Sequence, residues 1–482
     1  MTLKALGKDV AIYGAGEFVF KFIAFAVFPV YAHVLEVADF GRWALIAATT
    51  LLLGYLANLG INQAVQRFYF DDGADRADGP RIVSAGLVQL LASSVLLVGV
   101  ALAAAAVLAE RLERSFGVEN GLLAIALVAI VPDQLLQFCS DVLRLHFTPL
   151  RFLLLSFVKS IGGTALSLYF LLVLHAGLRG LFAGLLIGSL AALPLGLWLI
   201  RRDLVWHLDR RVAGALFAFG FPLTFASIAQ WIYTSLDRWM LAEMTSAQEV
   251  GLYSVAARFS TVLTFVVAAF AQAWIPFAIR MSRDDPDHCG FFARVLTLWF
   301  FLLTIAALGI SLYSSNVLRL LTPPVYWAGA HCLPLLVAGH ALFGTSLVAG
   351  LGVTLSNRTM LSTIATWLAG AVNVVLNVLL IPIGGARGTA AATFIALAVL
   401  SGFLLCCSQR LKPIPLQPVP LLYCCALLLG TVALSFGGLG DTGAAAAALK
   451  GGILLLAIAG GLAIGIVDRS TMWMLKPRGT PS

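Results

Sequence analysis

Apolar stretches of about 20 residues, each with few charges, recur from one end of the chain to the other. This repetition constrains the fold more than any motif does. A stretch of that length crosses about 30 Å of hydrocarbon as a helix. Lipid offers no partner to backbone N–H and C=O groups, so crossing segments must close their hydrogen bonds internally. Composition agrees: 60% of the 482 residues are hydrophobic and only 11% are charged, against about 25% charged in an ordinary globular chain. The sequence predicts an all-α integral membrane protein. Its first apolar run, 10–35, is too long for a signal-peptide core and no small-residue cleavage pattern follows it, so it is read as a retained span.

Hydropathy windows place fourteen spans, at 10–35, 43–64, 82–109, 120–143, 152–174, 180–200, 212–242, 251–279, 295–313, 331–354, 360–382, 388–407, 421–436 and 449–467. With the N-terminus in the cytoplasm, twenty of the 31 lysines and arginines fall in inside segments, seven (Lys450 and Arg387 among them) in outside segments, and four within spans. This bias predicts that both termini are cytoplasmic. The same scatter of basic residues argues against nucleic acid, which needs them clustered on one soluble face. The seven cysteines lie mostly inside apolar runs, where cysteine acts as a small hydrophobe, so neither a disulfide framework nor a metal site is expected.

An internal repeat shows through the composition. ADFGRWALIA at 38–47 aligns with QEVGLYSVAA at 248–257, an offset of 210, and LLVLHAGLRG at 171–180 aligns with LLIPIGGARG at 379–388, an offset of 208. The second match pairs Gly177 with Gly385, Arg179 with Arg387 and Gly180 with Gly388. An even number of helices separates the copies, so the predicted architecture is two parallel six-helix lobes with a cavity between them. They comprise residues 1–200 and 212–408, joined by a cytoplasmic linker at 201–211. A loop at 409–420, spans thirteen and fourteen within 421–467, and a tail at 468–482 complete the chain. The two extra spans either pack on the second lobe or form a groove for a lipid tail.

A charge at the bilayer centre costs about 2.5 to 3.5 kcal/mol, so it faces a water-filled cavity or a partner. The spans hold Glu17, Lys21, Asp133, Asp141, Lys159, Asp237, Arg238 and Arg258, with amides that include Asn58, Asn62, Gln63, Gln66, Asn373 and Asn377. Glu17 and Lys21 are four apart with the acid first, the better order for a helical ion pair, yet such a pair contributes only about 0.2 to 0.5 kcal/mol. That does not offset two buried charges. Either the pair faces the cavity, or neighbouring helices satisfy Lys21. Asp237 and Arg238 stand a few residues below an outer loop, where they can bind substrate or brace the hairpin between spans seven and eight. Arg258 stands alone in the sequence, and Lys159 is placed near the inner end of span five, from which its stem can reach the cytoplasm. No G-x-x-x-x-G-K-[ST], H-E-x-x-H or H-x-x-x-H pattern occurs, so no cofactor and no metal are expected, and a transporter is predicted in place of an enzyme.

Four stretches carry a family resemblance: YGAGEFVFKFIAFAVFPVYAHVLEVADFG at 13–41, NLGINQAVQRFYF at 58–70, LDRWMLAEMTSAQEVGLYSVAARF at 236–259 and NVVLNVLLIPIGGARGTAAAT at 373–393. With the span count and the repeat, they resemble the polysaccharide-flippase branch of the multidrug/oligosaccharidyl-lipid/polysaccharide exporter superfamily. The sequence departs from that pattern at Gly384, where an aromatic residue is common, and in carrying Arg387.

The resemblance implies a flippase of the bacterial inner (plasma) membrane that moves an undecaprenyl-pyrophosphate-linked oligosaccharide outward by alternating access. Membrane lipids and a polysaccharide polymerase are the other implied partners. For such a substrate, Lys21, Arg258, Arg238 and Lys159 are candidates for the pyrophosphate, and Asn58, Asn62, Gln63 and Asn377 for sugar hydroxyls. Glu17 and Asp237 are candidates for proton coupling. Outward movement of the anion is itself favoured by about 2.3 kcal/mol per charge per 100 mV. The rival readings are a peptidoglycan-precursor flippase and a cation-coupled multidrug exporter. A membrane-embedded glycosyltransferase is disfavoured, because the longest loops are only roughly 16 to 18 residues.

Overall fold

The computed structural model describes residues 16, 19–20, 22–23, 25–69, 79–205, 209–284, 288–356, 358–437 and 442–466. Every regular element among them is helical. Eleven of these helices are long and apolar enough to cross a membrane, so the chain is a multi-pass, all-α membrane protein. Its contacts divide it into two compact units, Met1–Gly251 and Leu252–Ser482. The expected first span lies only partly among the described residues, with α1 (Phe28–Val34) at its far end.

In the first unit, α2 (Val37–Asn58) is the second span. It stops where Leu59 and Gly60 take left-handed backbone, φ 49° and 69°, a conformation that glycine adopts without steric cost. The short helix α3 (Ile61–Tyr69) follows. It buries Ile61, Ala64 and Val65 while exposing Gln63, Gln66 and Arg67, the spacing of an amphipathic helix. Next come α4 (Gly79–Val107), the charged α5 (Ala109–Phe116), and α6 (Asn120–Val128) with α7 (Ile130–Leu145), which together make the fourth span. The fifth and sixth spans are α8 (Pro149–Leu172) and α9 (Gly177–Leu199). These two pack along their length because Gly184 meets the backbone of Ser167 and Gly188 that of Gly163, with no room for a Cβ. Beyond Leu145, His146 Nε2 lies 3.2 Å from both the Tyr69 hydroxyl and the Asp203 carboxylate. Ser84 bonds the backbone of Asp203 and Val205, so the ends of α3, α4, α7 and α9 are tied together.

The seventh span consists of α10 (Arg210–Trp231), one π-type turn at Ile232–Leu236, and α11 (Asp237–Met244). Within the first unit α10 packs against α2, α3 and α4. Gly220 meets Gly60 backbone to backbone, and Trp231 donates its indole N–H to the Ala48 carbonyl at 2.7 Å. The sequence reading draws its lobe boundary at 201–211, ahead of this span, whereas the contacts group the span with the helices before it.

The second unit is entered through α12 (Ala247–Asp284) and continues with α13 (His288–Leu312), α14 (Ser314–Leu321), a 3-10 segment Pro324–His331, α15 (Leu333–Ala349) and α16 (Leu351–Leu355). The helix α17 (Thr359–Leu411) has 53 residues, and if straight it would measure about 80 Å, far beyond the bilayer. Gly385 breaks it with φ 51° and ψ −128°, so it comprises the expected eleventh and twelfth spans. The last two helices, α18 (Pro418–Ala433) and α19 (Ala444–Ala463), pack against α13. Lys450, counted from sequence with the outer segments and at the edge of the window 449–467, stands in the second turn of α19. α19 begins at Ala444, which draws Lys450 inside the helix, and there it is fully buried and donates to Asn316 Oδ1 at 2.7 Å.

The two sequence matches share local geometry. Gly177 and Gly385, equivalent at an offset of 208, both turn left-handed, with φ 54° and 51°. Gly41 lies against the Ala247 carbonyl and Gly251 against the Val37 carbonyl. Stretches equivalent at an offset of 210 therefore meet each other reciprocally.

Candidate functional site

The segment IVPDQLLQFCSDVLRL of α7 sets Asp133, Gln137, Asp141 and Arg144 at spacings of four, four and three, which places them on one face of the helix. The opposite face, with Leu136, Cys139 and Leu143, enters the apolar core of the first unit. Asp141 is buried, and its charge is met by hydrogen bonds in place of water. Asn62 donates to its Oδ2 at 2.7 Å, Gln137 to its Oδ1 at 3.2 Å, and the Arg144 guanidinium lies 3.3 Å away. Asn58 donates to Gln134 Oε1 at 3.3 Å. Two of the expected sugar-binding amides, Asn58 and Asn62, are thus brought to the polar face of α7 by the α2–α3 junction.

About 12 Å further along the same face, Asp133 Oδ1 lies 3.2 Å from Lys159 Nζ of α8 and accepts the Ser189 hydroxyl of α9 at 2.8 Å. All three residues stand within one turn of the middle of their spans. Lys159 is therefore not near the inner end of its span. α8 starts at Pro149, earlier than the hydropathy window, and this carries the lysine to mid-depth, where a carboxylate on the neighbouring span pairs with it. Along α8 it follows the buried row of Phe152, Leu155, Gly163 and Ser167, away from the exposed Leu150, Leu154 and Phe157. Even so, the Lys159 and Asp133 side chains remain 32% and 47% exposed. Among the described residues both protein contacts converge on Oδ1, which leaves Oδ2 and the other ammonium N–H groups open to them. A pair at mid-depth with unused hydrogen-bonding capacity is the arrangement expected of a water-filled recess.

The remaining candidates lie elsewhere. Asp237 is fully buried and accepts the backbone N–H of Arg238 at 2.8 Å, while the Arg238 guanidinium donates to the Thr234 carbonyl at 2.7 Å and lies 3.5 Å from Asp237. This is bracing geometry across the π-type turn. Gln63 is exposed on α3. In the second unit Arg258 is half-buried on α12. Asn377 there donates to Asn373 Oδ1 at 2.9 Å, Asn373 to Thr393 at 3.5 Å, and the Tyr253 hydroxyl lies 3.3 Å from Thr393. Glu17 and Lys21 lie outside the described residues. Sequence reasoning marked Asp133 and Asp141 as buried charges without giving them a role, and it passed over Gln134, Gln137, Arg144 and Ser189. The helical spacing of the four polar residues in α7 was the available signal.

A set of membrane-crossing helices that keeps ionisable groups at mid-depth, and no regular element other than helix among its described residues, is the construction of a membrane transporter. Residues 6–282, more than half of the chain, match the family described as polysaccharide biosynthesis protein, and the chain belongs to that family. A relative from Haloferax volcanii, the "probable low-salt glycan biosynthesis flippase Agl15", is 24% identical over 396 residues, which are 80% of this chain and 79% of that protein. The solved structure of the lipid II flippase MurJ in an inward closed conformation matches with a TM-score of 0.73 at 14% identity, covering 94% of this chain and 98% of that one. An inward-facing multidrug resistance MATE family transporter of the MOP superfamily matches with a TM-score of 0.66 at 14% identity, over 82% and 94% of the two chains. The fold is that of this superfamily, as the sequence resemblance implies.

Proposed function

We propose that the protein is a flippase that carries an undecaprenyl-pyrophosphate-linked oligosaccharide from the inner to the outer leaflet of the bacterial plasma membrane, with both termini cytoplasmic. The observation that carries this reading is the open Lys159–Asp133 pair at mid-depth, continuous with the amides around Asp141. A lysine there suits a phosphate as a point charge, and apolar walls strengthen the attraction by lowering the local dielectric. Amides along the same face suit sugar hydroxyls. Membership of a polysaccharide biosynthesis family and likeness to a protein named as a glycan flippase support the same substrate class. Lys21, Arg238, Arg258 and Gln63 are further candidate contacts, and Glu17 and Asp237 candidate coupling residues. The proposal keeps two six-helix lobes that expose the site to the two sides in alternation. It assigns no cofactor, and membrane lipids and a polysaccharide polymerase are its partners.

The test is mature surface polysaccharide in a strain that lacks the gene and is complemented with the wild type or with Lys159→Gln at matched membrane expression. The wild type should restore the polymer. Lys159→Gln should lose at least about tenfold, which corresponds to one charge-assisted contact of about 1.5 to 3 kcal/mol. Rescue of a strain lacking its lipid II flippase, with no polymer restored, would move the assignment to the peptidoglycan precursor, the reading favoured by the MurJ fold match.

A further inference from the structure

The anion that Lys159 binds in the reading above must also leave, and the residue beside it answers how. Three observations bear on this. Lys159 is paired at 3.2 Å with Asp133, a carboxylate at its own depth on the neighbouring helix. That carboxylate has a second anchor, the Ser189 hydroxyl at 2.8 Å on the same oxygen, which holds it against α9 whether or not the lysine is present. Both side chains are partly exposed, so an incoming anion can reach the ammonium without unpacking a helix.

We infer that Asp133 is a built-in competitor for the substrate's phosphate, a specificity-determining residue that holds Lys159 in the empty carrier and displaces the anion at release. A lysine left alone in a low-dielectric recess carries an uncompensated charge. The Asp133 carboxylate removes that penalty between substrates, and the gain a phosphate makes on arrival is reduced by the pair it breaks. Affinity is lowered so that turnover can proceed. Ser189 keeps the displaced carboxylate in place for its return.

This inference rests on the assignment of Lys159 to the pyrophosphate, and the experiment separates the two. Full-length protein in lipid nanodiscs is titrated with geranyl-pyrophosphoryl-glucose, a short-chain probe with the same diphosphate diester. Lys159→Gln should bind about tenfold or more weakly. Asp133→Asn should bind about three- to tenfold more tightly, yet restore less surface polysaccharide than the wild type. The double variant should bind as weakly as Lys159→Gln, because Asp133 acts only through the lysine. A merely structural ion pair predicts weaker binding, or none, in Asp133→Asn, and that result would overturn the inference while leaving Lys159 as a ligand. Equal binding by the wild type and Lys159→Gln, or no binding by the wild type, would overturn the pyrophosphate assignment itself. Asp133→Ser repeats the neutral arm in case the asparagine variant folds poorly, and Asp133→Glu should keep wild-type affinity.

Discussion

Two polar clusters, one in each unit, handle polarity at membrane depth in opposite ways. The first keeps charges: Asp133, Lys159, Asp141 and Arg144 lie on or against one face of α7, with Asp133 and Lys159 partly exposed. The second keeps neutral groups: Asn373, Asn377, Thr393 and Tyr253 are all buried and bonded to one another. A charge is tolerated where water and an ion can reach it, whereas amides and hydroxyls persist in a dry interior when they satisfy one another. The first arrangement is suited to a ligand that comes and goes, the second to holding helices together, although the Asn377 Oδ1 atom has no partner among the described residues.

The sharpest way to break this contrast is to compare Lys159→Gln with Asn377→Leu in the polysaccharide assay. The lysine variant should lose at least about tenfold of the polymer at normal expression, while the asparagine variant should lose activity only in proportion to folded protein. If Asn377→Leu abolished the polymer in well-folded protein, the division of labour would be wrong. A smaller effect is expected from Asn373→Ala, which strands the Asn377 amide. It should cost about 1 to 3 kcal/mol of stability, read as a lower melting temperature in detergent. Gly177→Ala and Gly385→Ala probe the repeat rather than the sites. Each puts a Cβ on backbone of positive φ at a cost of at least about 1 to 2 kcal/mol, and both should lower the melting temperature. A silent substitution at one and a severe one at the other would deny the equivalence of the turns.

The smallest effect is pH-dependent. His331, on the 3-10 segment ahead of α15, is held below the ordinary histidine range by burial and then by the Arg387 guanidinium, with a backbone hydrogen bond at Ser435 opposing them. The folded protein therefore resists a proton that the unfolded chain accepts. Stability is intact above the ordinary histidine pKa of about 6.5 and is lost as pH falls from there toward the depressed value. The melting temperature should drop slightly between pH 7.5 and 5.5, and His331→Gln should reduce that drop.

Much of the architecture was legible in the sequence because bilayer thickness leaves few choices. Helix type and the order of the described spans follow from hydropathy, although the second span lies six residues earlier than its window and the ninth begins seven residues earlier. Pairings between helices did not follow. Nothing in the 26-residue separation of Asp133 and Lys159 says that their spans meet at equal depth, and that depended on α8 beginning at Pro149. The internal logic of α7 was readable, since a helical period alone aligns Asp133, Gln137, Asp141 and Arg144. The Glu17–Lys21 pair, the feature the sequence made most of, lies outside the described residues, so its role stays with the proposal.

Lys450 also sets a timetable for biogenesis. It belongs to the last described helix, and its partner Asn316 stands on α14, 134 residues earlier in the chain. A lysine within a lone helix partitions poorly into lipid, so the pair predicts that α19 docks after α14 has packed and that Asn316→Leu lowers the yield of folded protein.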